Sequence, residues 1–499
     1  MSRSSVYFTL GLCLLLAGGA LAGTKEEWKK RTIYQIITDR FYRSNGDTKT
    51  GCELTKYCGG DHDGIVKKLQ YIKDLGFDAI WISPVVDNIE LDPVSKTYGY
   101  HGYWARNWEK LNPHFGDEAA LKRLVSAAHS MGIWVMADVV ANHVGPVGTD
   151  YSQIYPFNQA AHYHDRCEIT DWNNQWQVEQ CRLADLPDLR TEDSWVRSYL
   201  KDWVKNHVQT FGFDGIRIDT VIHIEKSFWK EYAEAAGVFA LGEVFSGVDS
   251  YIGDYQKFVP AVLNYPLFYT IQDVFARGQS LRRIADRFNS AVWYYADYET
   301  TATFINNHDQ PRFLNVNKDW RLFKSAILFG LTSRGMPVFY YGDEQGFTGG
   351  ADPQNREPMF SNFNQQHELY KFVQTINRAR ATGGAINGVF KERWVDDNLY
   401  AFKKGNMFVA VTNKVNQQVK VDVPNTEYSE GTVVCNIFYP STDCIRITNG
   451  KLPVVLNGGE AKAYLVRTNS FFNSPAPSVA DVLRSHNEAL SGAGEVQFQ

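Results

Sequence analysis

The chain has no surplus of positive charge. Its 51 lysines and arginines stand against 56 aspartates and glutamates, a formal net charge of −5. That balance lacks the basic footprint of a nucleic-acid-binding protein and suits an uncharged polymer as substrate. Beyond the N-terminus there is no run of about 20 apolar residues, so no membrane span is expected in the mature chain. There is no N-x-[ST] sequon, so N-glycosylation is not expected. Low-complexity blocks and short-period repeats are also missing. Cysteine is scarce, with seven in 499 residues.

What is present begins at Arg3, followed by an apolar run from Val6 through Leu16 and by Ala20-Leu21-Ala22, an A-x-A cleavage pattern before Gly23. Residues 1–22 read as a signal peptide, because the run is too short for a membrane anchor. Cys13 leaves with it. Cys52, Cys58, Cys167, Cys181, Cys435 and Cys444 remain, an even number suited to three bridges in an oxidising compartment. Many connectivities are open to six cysteines, and pairing between nearest neighbours is the expectation.

Length excludes a single ordinary domain but accommodates a barrel of roughly 250 residues or more with insertions. Hydrophobic (44%) and charged (21%) fractions are ordinary for a globular protein. Aromatics reach 14%, mostly core, with a few as platforms for apolar ligand faces. Apolar runs recur at Thr32–Thr38, Ala79–Val85, Ile133–Val140, Gly215–Val221, Ala240–Phe245, Ala302–Asn306 and Met336–Tyr341, with a less distinct eighth near Val262–Leu267. Runs such as Ile133–Ala137 suit strands buried on both faces. Helical stretches such as Glu118–Met131 and Trp195–Phe211 alternate with them, which argues for βαβ units. About eight such units point to an α/β fold, a (β/α)8 TIM barrel; a doubly wound open sheet fits the same pattern.

Residues 143–192 break the alternation and read as a small inserted domain, leaving 23–142 and 193–383 for the barrel. From 384 to 468 short alternating strands predict a C-terminal all-β sandwich domain: Leu399–Phe402, Met407–Thr412, Val419–Val423, Gly431–Ile437 and Ala461–Val466. Residues 469–499, rich in Ser, Ala and Gly, are expected to be a flexible tail.

In a barrel, chemistry sits just past the carboxyl ends of the strands. There the chain reads Asp138-Val-Val-Ala-Asn142-His143, then Arg217-Ile-Asp219-Thr-Val-Ile222-His223, then Gly242-Glu243, then Asn306-Asn307-His308-Asp309. Asp219, Glu243 and Asp309 follow separate strands and converge on one mouth. Taken singly, an aspartate past a strand is more often a turn or cap, and Asp214 reads so. Arg217 and Asp219 are two apart on one strand and share a face.

These four segments resemble the four signature regions of glycoside hydrolase family 13, the α-amylase family, and Leu186-Pro-Asp188-Leu189 resembles a fifth. The chain is most similar to the secreted fungal type, through Tyr100-His101-Gly102-Tyr103-Trp104 and Asp352-Pro-Gln-Asn355-Arg356. The resemblance implies endo-hydrolysis of internal α-1,4-glucosidic bonds in starch, glycogen and maltooligosaccharides, with retention. It implies Asp219 as nucleophile, Glu243 as acid/base and Asp309 as the carboxylate gripping the −1 sugar. Retention calls for two carboxyl groups about 5–5.5 Å apart. Arg217 is expected to keep Asp219 ionised, and burial to keep Glu243 protonated. Asp138 is expected to orient Arg217.

The resemblance also implies substrate contacts by His101, Tyr103, Trp104, His143, Arg217, His308, Asp352 and Arg356; a core role for Trp104 and a surface ion pair for Asp352 and Arg356 are the plainer alternatives. It implies a structural Ca2+, an ion that takes six to eight oxygens, held by side chains of Asn142 and Asp188 and backbone carbonyls of Glu179 and His223. Three departures stand out. Ile222 occupies a position where fungal-type members often carry lysine, Arg190 one where they often carry aspartate, and no second basic residue for chloride is found. An extracellular or digestive-compartment monomer, without starch-binding appendage, is expected. An α-glucosidase, maltogenic or transglycosylating relative, or a non-catalytic binding barrel, are the competing expectations.

Overall fold

The computed structural model describes residues 23–473. The expected signal peptide, residues 1–22, lies outside them, as do residues 474–499 of the expected tail.

Eight parallel strands close into a barrel: β1 (Ile33–Ile36), β2 (Ala79–Ile82), β5 (Trp134–Val139), β6 (Gly215–Ile218), β7 (Phe239–Gly242), β8 (Ala261–Leu263), β9 (Thr301–Thr303) and β10 (Met336–Tyr340). All eight apolar runs are barrel strands, the indistinct one included. That run is short because Asn264 caps a helix at once, its side chain accepting from Leu267 N–H, with Pro266 in the first turn. The outer helices show equally local causes. Asp193 caps the helix Ser194–Phe211, and Gly212, at φ 73°, ends it. Register does the rest: Asp138 on β5 pairs with Arg217 on β6, and Ile218 with Gly242 on β7.

A hairpin missed in the sequence, β3 (Val86–Asn88) with β4 (Ala105–Leu111), rises between β2 and β5 and carries the Tyr100–Trp104 motif at its bend. Its pairing is irregular, with register shifts at both steps, so no alternation betrays it. The inserted segment 143–192 docks on β4: Tyr155 N–H donates to Arg106 O and Gly145 N–H to Ala105 O.

Beyond the barrel, β11 (Phe390–Val395), β12 (Leu399–Lys404), β13 (Met407–Thr412), β15 (Val433–Asn436), β16 (Cys444–Arg446) and β18 (Lys462–Val466) form a six-stranded sheet, faced by β14 (Gln418–Val423) with β17 (Leu452–Asn457). The three bridges join Cys52–Cys58, Cys167–Cys181 and Cys435–Cys444. The first residues of the expected flexible tail depart from that expectation. Ser470–Asn473 is a short helix with Phe471 buried, and Asn469 Nδ2 donates to Thr382 O. Two phenylalanines among the polar residues supply the apolar surface that anchors it.

Candidate active site

Asp138, Arg217, Asp219 and Glu243 meet at the carboxyl ends of β5, β6 and β7, all nearly excluded from solvent. Arg217 Nη1 donates to Asp138 (3.0 and 3.1 Å) and to Asp219 Oδ1 (2.7 Å). Its Nη2 lies 3.0 Å from Glu243 Oε2, an ion-pair contact out of line for a hydrogen bond. One guanidinium thus faces three carboxylates. Burial raises Asp219 well above the usual carboxylate range; Arg217 opposes this, while Glu243, Asp138 and Asp309 add to it. Burial likewise pushes Asp138 up to about 6. Arg217 acts on Asp219 in the expected sense, lowering it, against burial and three neighbouring carboxylates.

Glu243 is held from both sides. Tyr265 O–H donates to Oε1 (3.1 Å) and Thr220 N–H to Oε2 (3.0 Å). Asn307 Nδ2 in turn donates to Tyr265 (3.0 Å). Thr220 sits at φ 52°, a strained setting for a β-branched residue, and this bend aims its N–H at Glu243. Tyr265 and Thr220 were missed in the sequence. Each lies inside or beside an apolar run and is linked to Glu243 only across strands.

A further chain of bonds fixes Asp138. Trp81 Nε1 and Tyr103 O–H both donate to Oδ2 (3.0 and 2.7 Å). With its proton so committed, Tyr103 accepts from His308 Nε2–H (2.8 Å), and Gln35 Nε2 donates to His308 Nδ1 (2.8 Å). Burial, aided by Arg356 and Arg217, keeps His308 neutral, as this pattern requires. The Tyr103 and His308 rings lie parallel, 5.3 Å apart.

Asp309 stands at the open side, its side chain 33% exposed, 3.4 Å from Arg356 Nη2. Arg356 is buried and also donates to His308 O (3.0 Å), contacts Tyr100 and pairs with Asp352 (3.1 Å). It acts on the structure around Asp309, and Asp352, half exposed, is the more accessible partner of the two. His101 accepts from Tyr103 N–H and meets Trp104 edge-on at 4.6 Å. His143 Nε2 donates to Tyr103 O (3.1 Å). Asp214, expected in a turn, accepts from Val135 N–H and His129.

Backbone pairing brings the two segments together: His143 bridges Asp188, and Leu189 N–H donates to Asn142 O. Asn142 Oδ1 and Asp188 Oδ1 are buried with no hydrogen-bond donor. Burial pushes Asp188 up to about 7. Opposite, His223 Nδ1–H donates to Val178 O, next to Glu179, and Gln175 Nε2 to Ile222 O. Burial first, then repulsion from His223, pushes His143 down to about 4. Among the described residues no three His, Cys, Asp or Glu side chains gather as a metal cage. The orphaned Asn142 Oδ1 and Asp188 Oδ1 are oxygens of the kind a hard cation takes.

Comparison with known proteins agrees with this geometry. The family model "Alpha amylase, catalytic domain" matches residues 35–422. This chain belongs to the α-amylase family. A β/α-amylase of Paenibacillus polymyxa is 40% identical over 466 residues, taking in 88% of this chain and 38% of the relative. An α-amylase of Saccharomycopsis fibuligera is 38% identical over 459 residues, 88% of this chain and 92% of the relative. The solved structure of an α-amylase from Malbranchea cinnamomea superposes with a TM-score of 0.85 at 36% identity, covering 89% of this chain and 98% of that one. Of this α-amylase-family member's departures, Ile222 is buried, with its carbonyl held by Gln175; nothing in the structure explains Arg190.

Proposed function

We propose that this chain cuts internal α-1,4-glucosidic bonds of starch, glycogen and maltooligosaccharides by a retaining double displacement. The observation that carries the assignment of roles is the single guanidinium of Arg217 bridging Asp219 and Glu243 at adjacent strand ends. Such a bridge suits the close carboxyl pair, about 5–5.5 Å apart, of retaining hydrolases. Asp219 attacks the anomeric carbon while Glu243 delivers a proton to the departing glycosidic oxygen. Glu243 then takes a proton from the water that displaces Asp219. Tyr265, both donor and acceptor, serves either protonation state of Glu243. Asp309, exposed at the mouth, meets sugar hydroxyls at subsite −1, with Tyr103, His143 and His308 beside it; Arg356 positions Asp309.

Ca2+ bound by Asn142 Oδ1, Asp188 Oδ1 and the carbonyls of Glu179 and His223 would neutralise a buried carboxylate and tie the inserted segment to the barrel. We read the protein as secreted, from the N-terminal pattern and three disulfides, and as a monomer. No described helix is long and apolar enough to cross a membrane.

The test is reducing-sugar release from soluble starch with iodine staining, for wild type and Glu243→Gln in calcium. Early loss of colour at low sugar release is expected for the wild type, with a rate loss of about 10²–10⁴-fold in the variant. Glucose release under persistent colour would move the assignment to an exo-acting relative.

A further inference from the structure

Asn307 stands just past β9 and is buried. Its amide has an acceptor end and a donor end. Oδ1 accepts from two backbone N–H groups, those of Asp309 (3.1 Å) and Gln310 (3.0 Å). A backbone N–H can only donate, so the oxygen is the end that faces them and the amide cannot be flipped. Nδ2 is thereby turned on Tyr265 and donates to its hydroxyl oxygen (3.0 Å). A phenol carries a single hydrogen. With Asn307 donating, that hydrogen points away from the amide and onto Glu243 Oε1 (3.1 Å). The direction of every bond in this chain is set at the backbone of Asp309 and Gln310, and the chain ends on Glu243.

Tyr265 has little freedom of its own. It opens the helix Tyr265–Ile271, which Asn264 caps. Its ring is fully buried and meets Phe245 and Phe304 edge-on at 4.8 and 5.1 Å. Burial first, then the nearby carboxylates, raises its hydroxyl well above the usual phenol range, so it keeps its hydrogen. What remains is rotation of that hydrogen about the C–O bond, and the donor from Asn307 fixes it. Thr220 N–H holds the other oxygen of Glu243, Oε2, from its own backbone bend. Two bonds therefore set the plane of the carboxyl group, and Asn307 controls the direction of one.

We propose that Asn307 is a positioning residue for proton transfer: acting through Tyr265, it orients the carboxyl group of Glu243, an inference that rests on the acid/base role read for Glu243. Its oxygen also ties the turn that carries Asp309, so one amide sets the acid/base and the neighbouring carboxylate together. The effect of losing it should depend on how badly the leaving group needs a proton.

Two substrates separate that effect from a structural one. The departing sugar of maltotetraose needs a proton, whereas the fluoride of α-maltosyl fluoride departs with little help from an acid. The ratio of kcat/KM on maltotetraose to kcat/KM on the fluoride cancels whatever a variant loses at Asp309 or in folded fraction. It is measured in calcium for wild type, Asn307→Asp, Asn307→Ser, Tyr265→Phe and the double variant Asn307→Ser/Tyr265→Phe. Asn307→Asp keeps the acceptor for the two backbone N–H groups and loses the donor to Tyr265; Asn307→Ser loses that donor without adding charge. The ratio should fall at least about tenfold in each single variant. The double variant should fall no further than Tyr265→Phe alone, because the two residues act in series. A wild-type ratio in both Asn307 variants overturns the proposal, and so does a double variant whose loss is the product of the two single losses. A wild type inert towards both substrates would instead sink the glucosidic reading of the mouth, and the proposal with it.

Discussion

Arg217 is engaged by three carboxylates, and its two-residue spacing from Asp219 was visible in the sequence. Its contacts with Asp138 and Glu243 were not, because they depend on the register of β5, β6 and β7. Glu344 shows the same point away from the site. It is fully buried, accepts from Tyr34 and Tyr71 (2.8 and 2.9 Å), and leaves Oε2 unpartnered. Burial raises it from the ordinary 4.5 to about 7. Between those values the unfolded chain has released the proton that the folded chain still holds. Stability therefore falls as pH rises from 4.5 towards 7 and stays lower above it, by roughly 3 kcal/mol. Glu344→Gln cannot titrate. Its Tm relative to wild type should climb between pH 5 and pH 8 in scanning calorimetry; a difference flat in pH would refute the assignment.

At the scale of elements, barrel strands were legible because burial on both faces leaves unbroken apolar runs. The β3–β4 hairpin was not legible, since half of its residues face polar surroundings and its register slips. The inserted segment has little regular structure and leans on β4, on the His143–Asp188 pairing and on the Cys167–Cys181 bridge. That bridge closes a loop with a separation of 14 residues. Replacing both cysteines by alanine should cost about 3 kcal/mol on the chain-entropy account. It should also raise the calcium concentration needed for full stability, because Glu179 lies inside the loop. Thermal unfolding across a calcium titration reads both effects, and an unchanged calcium midpoint would detach the loop from the metal.

Across the whole molecule, the six-stranded sheet is shared between two cores. Tyr400, Phe402, Met407, Val409 and Leu465 join the barrel's core, whereas Leu399, Ala401, Phe408, Ala410 and Tyr464 face the two-stranded sheet. Phe372 stacks on Phe438 at 4.5 Å, and Lys404 Nζ donates to Ser333 O. So much shared apolar surface should make barrel and sandwich unfold together. Calorimetry in calcium is expected to show one transition; two well-separated transitions would show the domains to be independent. Chelation should lower that Tm, since a ligand present at 100 times its Kd contributes about 2.7 kcal/mol to the folded state.

Pattern alone left a closed barrel and an open sheet both open, but periodicity and strand-end motifs picked out the eight strands, the β-rich C-terminal region and the residues now gathered at the mouth. These are local properties, written within a few residues of one another. Only the tertiary structure decided that Asp138, Asp219 and Glu243 share one cation, that Tyr265 and Thr220 hold Glu243, that Arg356 serves Asp309 and that Phe471 is anchored. Those facts depend on which strands lie side by side and in what register, and on how much water the packing removes. Neither quantity is encoded at any single position.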